Sequence, residues 1–120
     1  MMLRLLRPVL LCLALLLVGC SASDGPADGM ATVQASRLPA EARRTLELID
    51  AGGPFPYEKD GSVFGNFEGE LPKEKRGYYR EYTVRTPGAR DRGARRIVTG
   101  RGGETYYTDD HYESFEAVLR

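Results

Sequence analysis

The sequence is poor in the residues on which disulfide-stapled proteins and metalloenzymes depend. Its 120 residues hold no tryptophan, one histidine (His111) and two cysteines, Cys12 and Cys20. Cys12 falls inside an apolar leader, which leaves Cys20 as the one thiol beyond it, so no intramolecular disulfide can offset a small core. One histidine and no cysteine after residue 20 cannot assemble a typical zinc site. No serine or cysteine stands in a recognisable nucleophile elbow. The length excludes a two-domain enzyme, a dinucleotide-binding half joined to a substrate half, and a repeat array.

Apolar runs are also scarce. The one long example, 9–18, follows Arg4 and Arg7 and is too short to cross roughly 30 Å of hydrocarbon as a helix. It reads as the h-region of a signal peptide over 1–19. The run Leu17-Val18-Gly19-Cys20 resembles the lipobox of bacterial lipoproteins. That resemblance implies cleavage before Cys20, a diacylglyceryl group on its thiol, and an exported chain held by lipid at the cell surface. The alternative is an ordinary secretory signal in which Cys20 is incidental. The formal charge, 17 basic against 17 acidic residues, becomes 15 against 17 once Arg4 and Arg7 leave with the leader. From 21 to 36 the run SASDGPADGMATVQAS is small, polar and aperiodic. It predicts a flexible tether, giving a lipidated cysteine and linker over 20–36 and a folded domain over 37–120.

Within that domain Pro39 suits a first helical turn, and Ala42, Leu46 and Ile49 recur at helical spacing until Gly52-Gly53-Pro54 ends the pattern. Turn residues follow, then short β-branched and aromatic segments at 63–68, 78–85, 95–99, 105–108 and 115–119. One N-terminal helix and about five short strands predict an α+β fold, with the helix packed on a small antiparallel sheet.

Strand alternation then makes a chemical statement. In 78–85, Tyr79, Glu81, Thr83 and Arg85 share one face, and Tyr78, Arg80, Tyr82 and Val84 the other; in the next strand Arg96 and Val98 oppose Arg95, Ile97 and Thr99. A mid-strand carboxylate among aromatics, followed by an arginine-rich strand, suits an active face; a solvated face with cross-strand Glu–Arg pairs is the plain alternative. Between 85 and 101 stand six arginines, no lysine and one acid, Asp91, whereas 102–120 holds five acids and one arginine. Arginine without lysine points to planar, bidentate recognition of phosphate, against the alternative of a solvated basic loop. His111, the one side chain whose ordinary titration falls near neutrality, is the natural general acid.

The runs LPAEARRTLELI, GPFPYEKDGSVFGN, GYYREYTV, TPGARDRGARRIVTG and YYTDDHYESF, in this order over 37–116, together resemble the secreted bacterial guanyl-specific ribonucleases, the family that includes barnase, and most closely its small form from filamentous bacteria. The resemblance implies cofactor-free, metal-free cleavage of RNA after guanosine through a 2′,3′-cyclic phosphate. It makes Glu81 the general base, His111 the general acid, and Arg92 and Arg96 the phosphate-binding charges. Guanine would be read by main-chain N–H groups of Phe64, Gly65 and Asn66 and by the Glu68 carboxylate, with Tyr112 on the phosphate or packed against the site. Close relatives carry a polar residue and an arginine where this chain has Gly65 and Phe67. They also tie the ends of the domain with a disulfide whose positions are empty here, which implies a stability lower by about 2–4 kcal/mol. As partners the reading expects RNA, the membrane through Cys20 and a barstar-like inhibitor, with the chain a monomer. The competing reading is a non-catalytic, lipid-anchored RNA- or protein-binding module on the same fold; a purely structural surface protein would have no use for a polar, site-bearing face.

Overall fold

The computed structural model describes residues 29–120; the leader, Cys20 and the start of the expected tether lie outside the described residues. The elements are β1 (Ala31–Gln34), a 3-10 turn (Ala35–Arg37), α1 (Ala40–Ala51), β2 (Ser62–Phe64), β3 (Tyr79–Thr83), β4 (Arg96–Gly100), β5 (Thr105–Thr108) and β6 (Glu116–Leu119). The strands form one sheet in the order β1-β6-β5-β4-β3-β2, antiparallel throughout except for the β1–β6 pair. This is the expected α+β architecture.

Helix α1 forms where the apolar period says it should. Its first free N–H groups are met by Pro39, whose carbonyl accepts from Ala42 and Arg43 at 2.9 and 3.0 Å. It stops at Gly52, which takes the left-handed conformation (φ 81°) and donates to Ile49, a geometry that glycine reaches without a Cβ clash. The apolar stripe of Ala42 and Leu46 is buried against Leu38, Val84, Ile97, Tyr107 and Val118. On the other side of the sheet Phe64, Leu71, Tyr79, Val98, Tyr106, Phe115 and Ala117 make a second, aromatic-rich cluster. The predicted alternation therefore holds: Ile97 and Val84 face the helix, while Val98 and Tyr79 face away.

One expectation is corrected. The composition predicts a tether over 20–36, yet Ala31–Gln34 is a strand paired in parallel with β6, from Ala31 opposite Glu116 to Gln34 opposite Leu119. Val33 and Ala35 pack against the helix-side core and Met30 against the other cluster. The cause is tertiary: β6 has an open edge that four residues can satisfy with main-chain bonds alone, whatever their low apolar content. The folded domain thus begins before residue 37. Its two ends, which lack a disulfide, are joined by this pair of strands, and an Arg120–Asp50 ion pair of 2.5 Å ties the C-terminal segment to the end of α1.

Candidate active site

The face of the sheet turned away from α1 carries the polar residues singled out above. β3 places Glu81 at its centre, between Ser62 of β2 and Val98 of β4. Its side chain is 16% exposed. β4 opens with Arg96, whose side chain is only 2% exposed and whose guanidinium is held on three sides. One terminal nitrogen donates to the carbonyls of Gly93 (2.9 Å) and Arg95 (2.8 Å), and Nε donates to the Tyr112 hydroxyl at 3.1 Å. Nε also lies 3.8 Å from Glu81 Oε1, so this buried cation has its counter-charge within reach.

Tyr112 links these groups. Its hydroxyl accepts from Arg96 and donates to Glu81 Oε1 at 2.5 Å. Burial first, then the bond to Glu81, pushes the phenol up to about 12, so at neutral pH it is a donor to the carboxylate. Its ring packs on Phe64 with centroids 4.9 Å apart and on the His111 imidazole at 4.7 Å. His111 is exposed, and its main-chain N–H bonds to Ala94 O at 3.0 Å, tying the loop after β5 to the arginine-rich segment before β4. Arg92 arrives from that segment and donates to Thr83 Oγ1 at 2.8 Å, two residues along β3 from Glu81. It has no acidic partner among the described residues, so its charge is free for a ligand.

Backbone strain marks the same place. Among the described residues the non-glycine residues with left-handed φ are Asn66 (55°), His111 (58°) and Tyr112 (76°), each costing on the order of 1–3 kcal/mol and kept only where the surroundings enforce it. For His111 and Tyr112 the enforcing group is Asp110. Oδ1 accepts from Thr108 Oγ1 (2.8 Å) and Ser114 N (2.9 Å), and Oδ2 from Ser114 Oγ (2.5 Å). These bonds, the Ser114 hydroxyl first, pull its carboxyl down to about 2. Buried Thr108 also accepts from Tyr112 N at 3.2 Å. Sequence reasoning missed Thr108, Asp110 and Ser114. Their signal was an Asp followed four residues later by Ser, a turn pattern that looks the same whether or not it presents a histidine.

The expected base-reading loop follows β2. Here Asn66 uses its side chain internally: Nδ2 donates to Leu71 O at 2.9 Å, and Oδ1 accepts from Leu71 N at 3.1 Å. The loop is braced, and the main-chain N–H groups of Gly65 and Asn66 have no partner among the described residues. Gly65 has ordinary φ, and a Cβ there would lie 2.5 Å from the exposed Phe67 ring, which would have to move aside. Phe67 itself is 87% exposed, more than any other large hydrophobic side chain among the described residues. Glu68 is exposed and has no partner among the described residues. The structure therefore gathers Glu81, Arg96, Tyr112, His111 and Phe64 into one contact network with Arg92 at its border. Gly65, Asn66 and Glu68 form a separate adjoining loop, and Cys20 lies outside the described residues.

Known proteins share this fold and much of this sequence. Residues 21–119 match the ribonuclease family. The chain is 56% identical over 95 residues to guanyl-specific ribonuclease St of Saccharopolyspora erythraea, covering 79% of this chain and 94% of that one. It is 62% identical over 84 residues to guanyl-specific ribonuclease Sa3 of Kitasatospora aureofaciens, covering 69% of this chain and 60% of the relative. The crystal structure of ribonuclease Sa2 with guanosine-2′-cyclophosphate superposes with a TM-score of 0.72 at 51% identity, over 75% of this chain and 96% of that one. With the fold and most of the chain in agreement, this protein belongs to the ribonuclease family.

Proposed function

We infer that the chain is a guanyl-specific endoribonuclease that cleaves RNA through a 2′,3′-cyclic phosphate. The observation that carries the mechanism is the Glu81–Tyr112–Arg96 network with the His111 ring packed at a tilt against the Tyr112 ring. Transfer of phosphorus to a ribose 2′-oxygen needs a base for the 2′-hydroxyl, an acid for the departing 5′-oxygen, and fixed positive charge on the phosphoryl oxygens. Glu81 takes the 2′-hydroxyl proton. His111, separated from Glu81 by the Tyr112 ring, gives a proton to the leaving oxygen. In the second step the roles reverse: His111 takes a proton from water, water attacks the cyclic phosphate, and Glu81 returns a proton to the 2′-oxygen. Arg92 and Arg96 stabilise charge on the phosphate, Arg96 with little reorganisation because it is already held in place. Main-chain N–H groups of Phe64, Gly65 and Asn66 meet guanine O6 and N7, and Glu68 accepts from N1–H and the exocyclic amine, a donor pair that adenine lacks.

The test is cleavage of GpU in EDTA. The wild type should yield the cyclic nucleotide and then 3′-GMP, with Glu81→Gln and His111→Gln each slower by roughly 10²–10⁴-fold. Full activity in either variant would overturn the assignment.

We propose further that the chain is exported and acylated at Cys20. β1 begins at Ala31, so ten residues separate anchor from sheet, a reach of at most about 33–36 Å. Mass spectrometry of membrane-extracted protein should find an acylated cysteine at the new N-terminus; a water-soluble, unmodified product would refute it. As a monomer carrying the unpaired Arg92 charge at the border of the site, it suits an acidic, barstar-like inhibitor. Sedimentation and rescue of expression by such an inhibitor check these two points.

A further inference from the structure

A second cationic site lies around the sheet edge from the catalytic residues. Between α1, the loop through Tyr57 and the end of β3 is a cleft of about 580 Å³, walled by Arg43, Arg44 and Arg85, within the range of small-ligand sites. Among the described residues Arg44 and Arg85 have neither an ion pair nor a side-chain hydrogen bond. Arg43 donates to the carbonyls of Ser36 and Leu38, at 3.4 and 3.0 Å, and keeps its charge. Of the two acids on the walls, Glu41 faces Arg95 at 3.8 Å, which leaves Glu47 against three arginines.

The cleft is joined to the active face through one residue. Thr83 lines it, and the Thr83 carbonyl accepts from buried Thr45 Oγ1 at 3.3 Å on the helix side. Its own Oγ1 accepts from Arg92 on the catalytic side. Direction follows from β3. Tyr79 pairs with Phe64, where the base-reading loop begins, and Glu81 pairs with Ser62, the end of the β2 ladder. Arg85 lies four residues beyond Glu81, about 13 Å along an extended chain. Base loop and cleft are therefore at opposite ends of β3, with the catalytic carboxylate between them.

We propose that this cleft is a subsite for the RNA backbone on the leaving side of the scissile bond. Arg44 and Arg85 would pair with phosphodiesters 3′ to the cleaved linkage, and Tyr57 would offer its ring to a base. The proposal rests on the endoribonuclease reading, since that reading puts guanosine at the other end of β3. It makes the enzyme favour RNA extended to the 3′ side of the cut.

Three substrates test it: GpU, GpUpUpUpU and UpUpUpGpU, at low and moderate salt, with the wild type and Arg44→Gln/Arg85→Gln. The double variant should lose roughly fivefold in kcat/KM on the 3′-extended substrate alone, mainly through KM. Its salt dependence there should flatten by about 0.7 in log–log slope per lost phosphate contact. Equal losses on all three substrates, no loss on any, or a loss confined to the 5′-extended one would overturn the proposal. Failure of the wild type to cut GpU would instead sink the ribonuclease reading, and the subsite with it.

Discussion

Removing one oxygen, by Tyr112→Phe, tests how the site is held. The ring contacts to Phe64, His111 and Phe115 survive, with centroid distances of 4.9, 4.7 and 6.4 Å, so the loss is confined to the polar link. A hydrogen bond to a charged group contributes about 1.5–3 kcal/mol. Part of it returns, because Arg96 Nε, already 3.8 Å from Glu81, can close on the carboxylate for about 1 kcal/mol. The net loss is then about 0.5–2 kcal/mol, a fall in Tm of about 2–16 °C for a domain of this size. Activity should fall further than stability. Arg96 drawn onto Glu81 occupies the base and leaves the phosphate, and a displacement of about 1 Å at a catalytic group costs on the order of 10²-fold. Thermal unfolding and GpU kinetics measure both, and a tyrosine absorbance titration should lose the phenol that ionises only near about 12. Unchanged Tm with unchanged kcat would show that Tyr112 does not position Glu81, and the proposed linkage would fail.

Asp110 should shape the acid limb of stability. Its carboxyl sits near 2 in the fold against an ordinary 3.8, so its bonds stabilise above about pH 4 and that contribution disappears as pH falls toward 2. In Asp110→Asn this part of the pH dependence should vanish from urea-unfolding curves, and kcat should drop as the left-handed His111 and Tyr112 relax. Phe67→Ala should leave Tm within about 1–2 °C, since the ring is exposed, while raising KM for GpU more than for free phosphate as an inhibitor. Gly65→Ala should do the same by displacing that ring, so the double variant should show less than the sum. Truncation to start at residue 35 removes β1 and the Val33 contact. Losing a ladder of bonds at about 1 kcal/mol each should lower Tm by more than 10 °C, and an unchanged Tm would mean that the β1–β6 pairing adds nothing.

Much of this was readable because local pattern and tertiary packing agree. The helical spacing of Ala42, Leu46 and Ile49 and the alternation around Glu81 are statements about faces, and each face found its partner. β1 was not readable: of its four residues only Val33 is even partly covered, so there is no alternation to see, and its partner lies at the far end of the domain. In the site, residue types on strands were legible because strand geometry fixes where they point. The Asp110 brace and the inward use of the Asn66 side chain were not, since a polar loop residue looks alike whether it binds ligand or the loop's own main chain. The cleft beside Arg44 and Arg85 joins residues from a helix and a strand end, which no local pattern reports.

The parallel pairing of Ala31 with Glu116 sets a clock on synthesis. A nascent chain cannot close the sheet until residues 116–119 have emerged, and such distant contacts form late because the loop between them must first be ordered. His111 and Tyr112 reach Glu81 and Arg96 at nearly the same moment. Until residue 111 has emerged, then, the chain has a base without an acid, and a producing cell handles a nuclease whose two halves have not yet met.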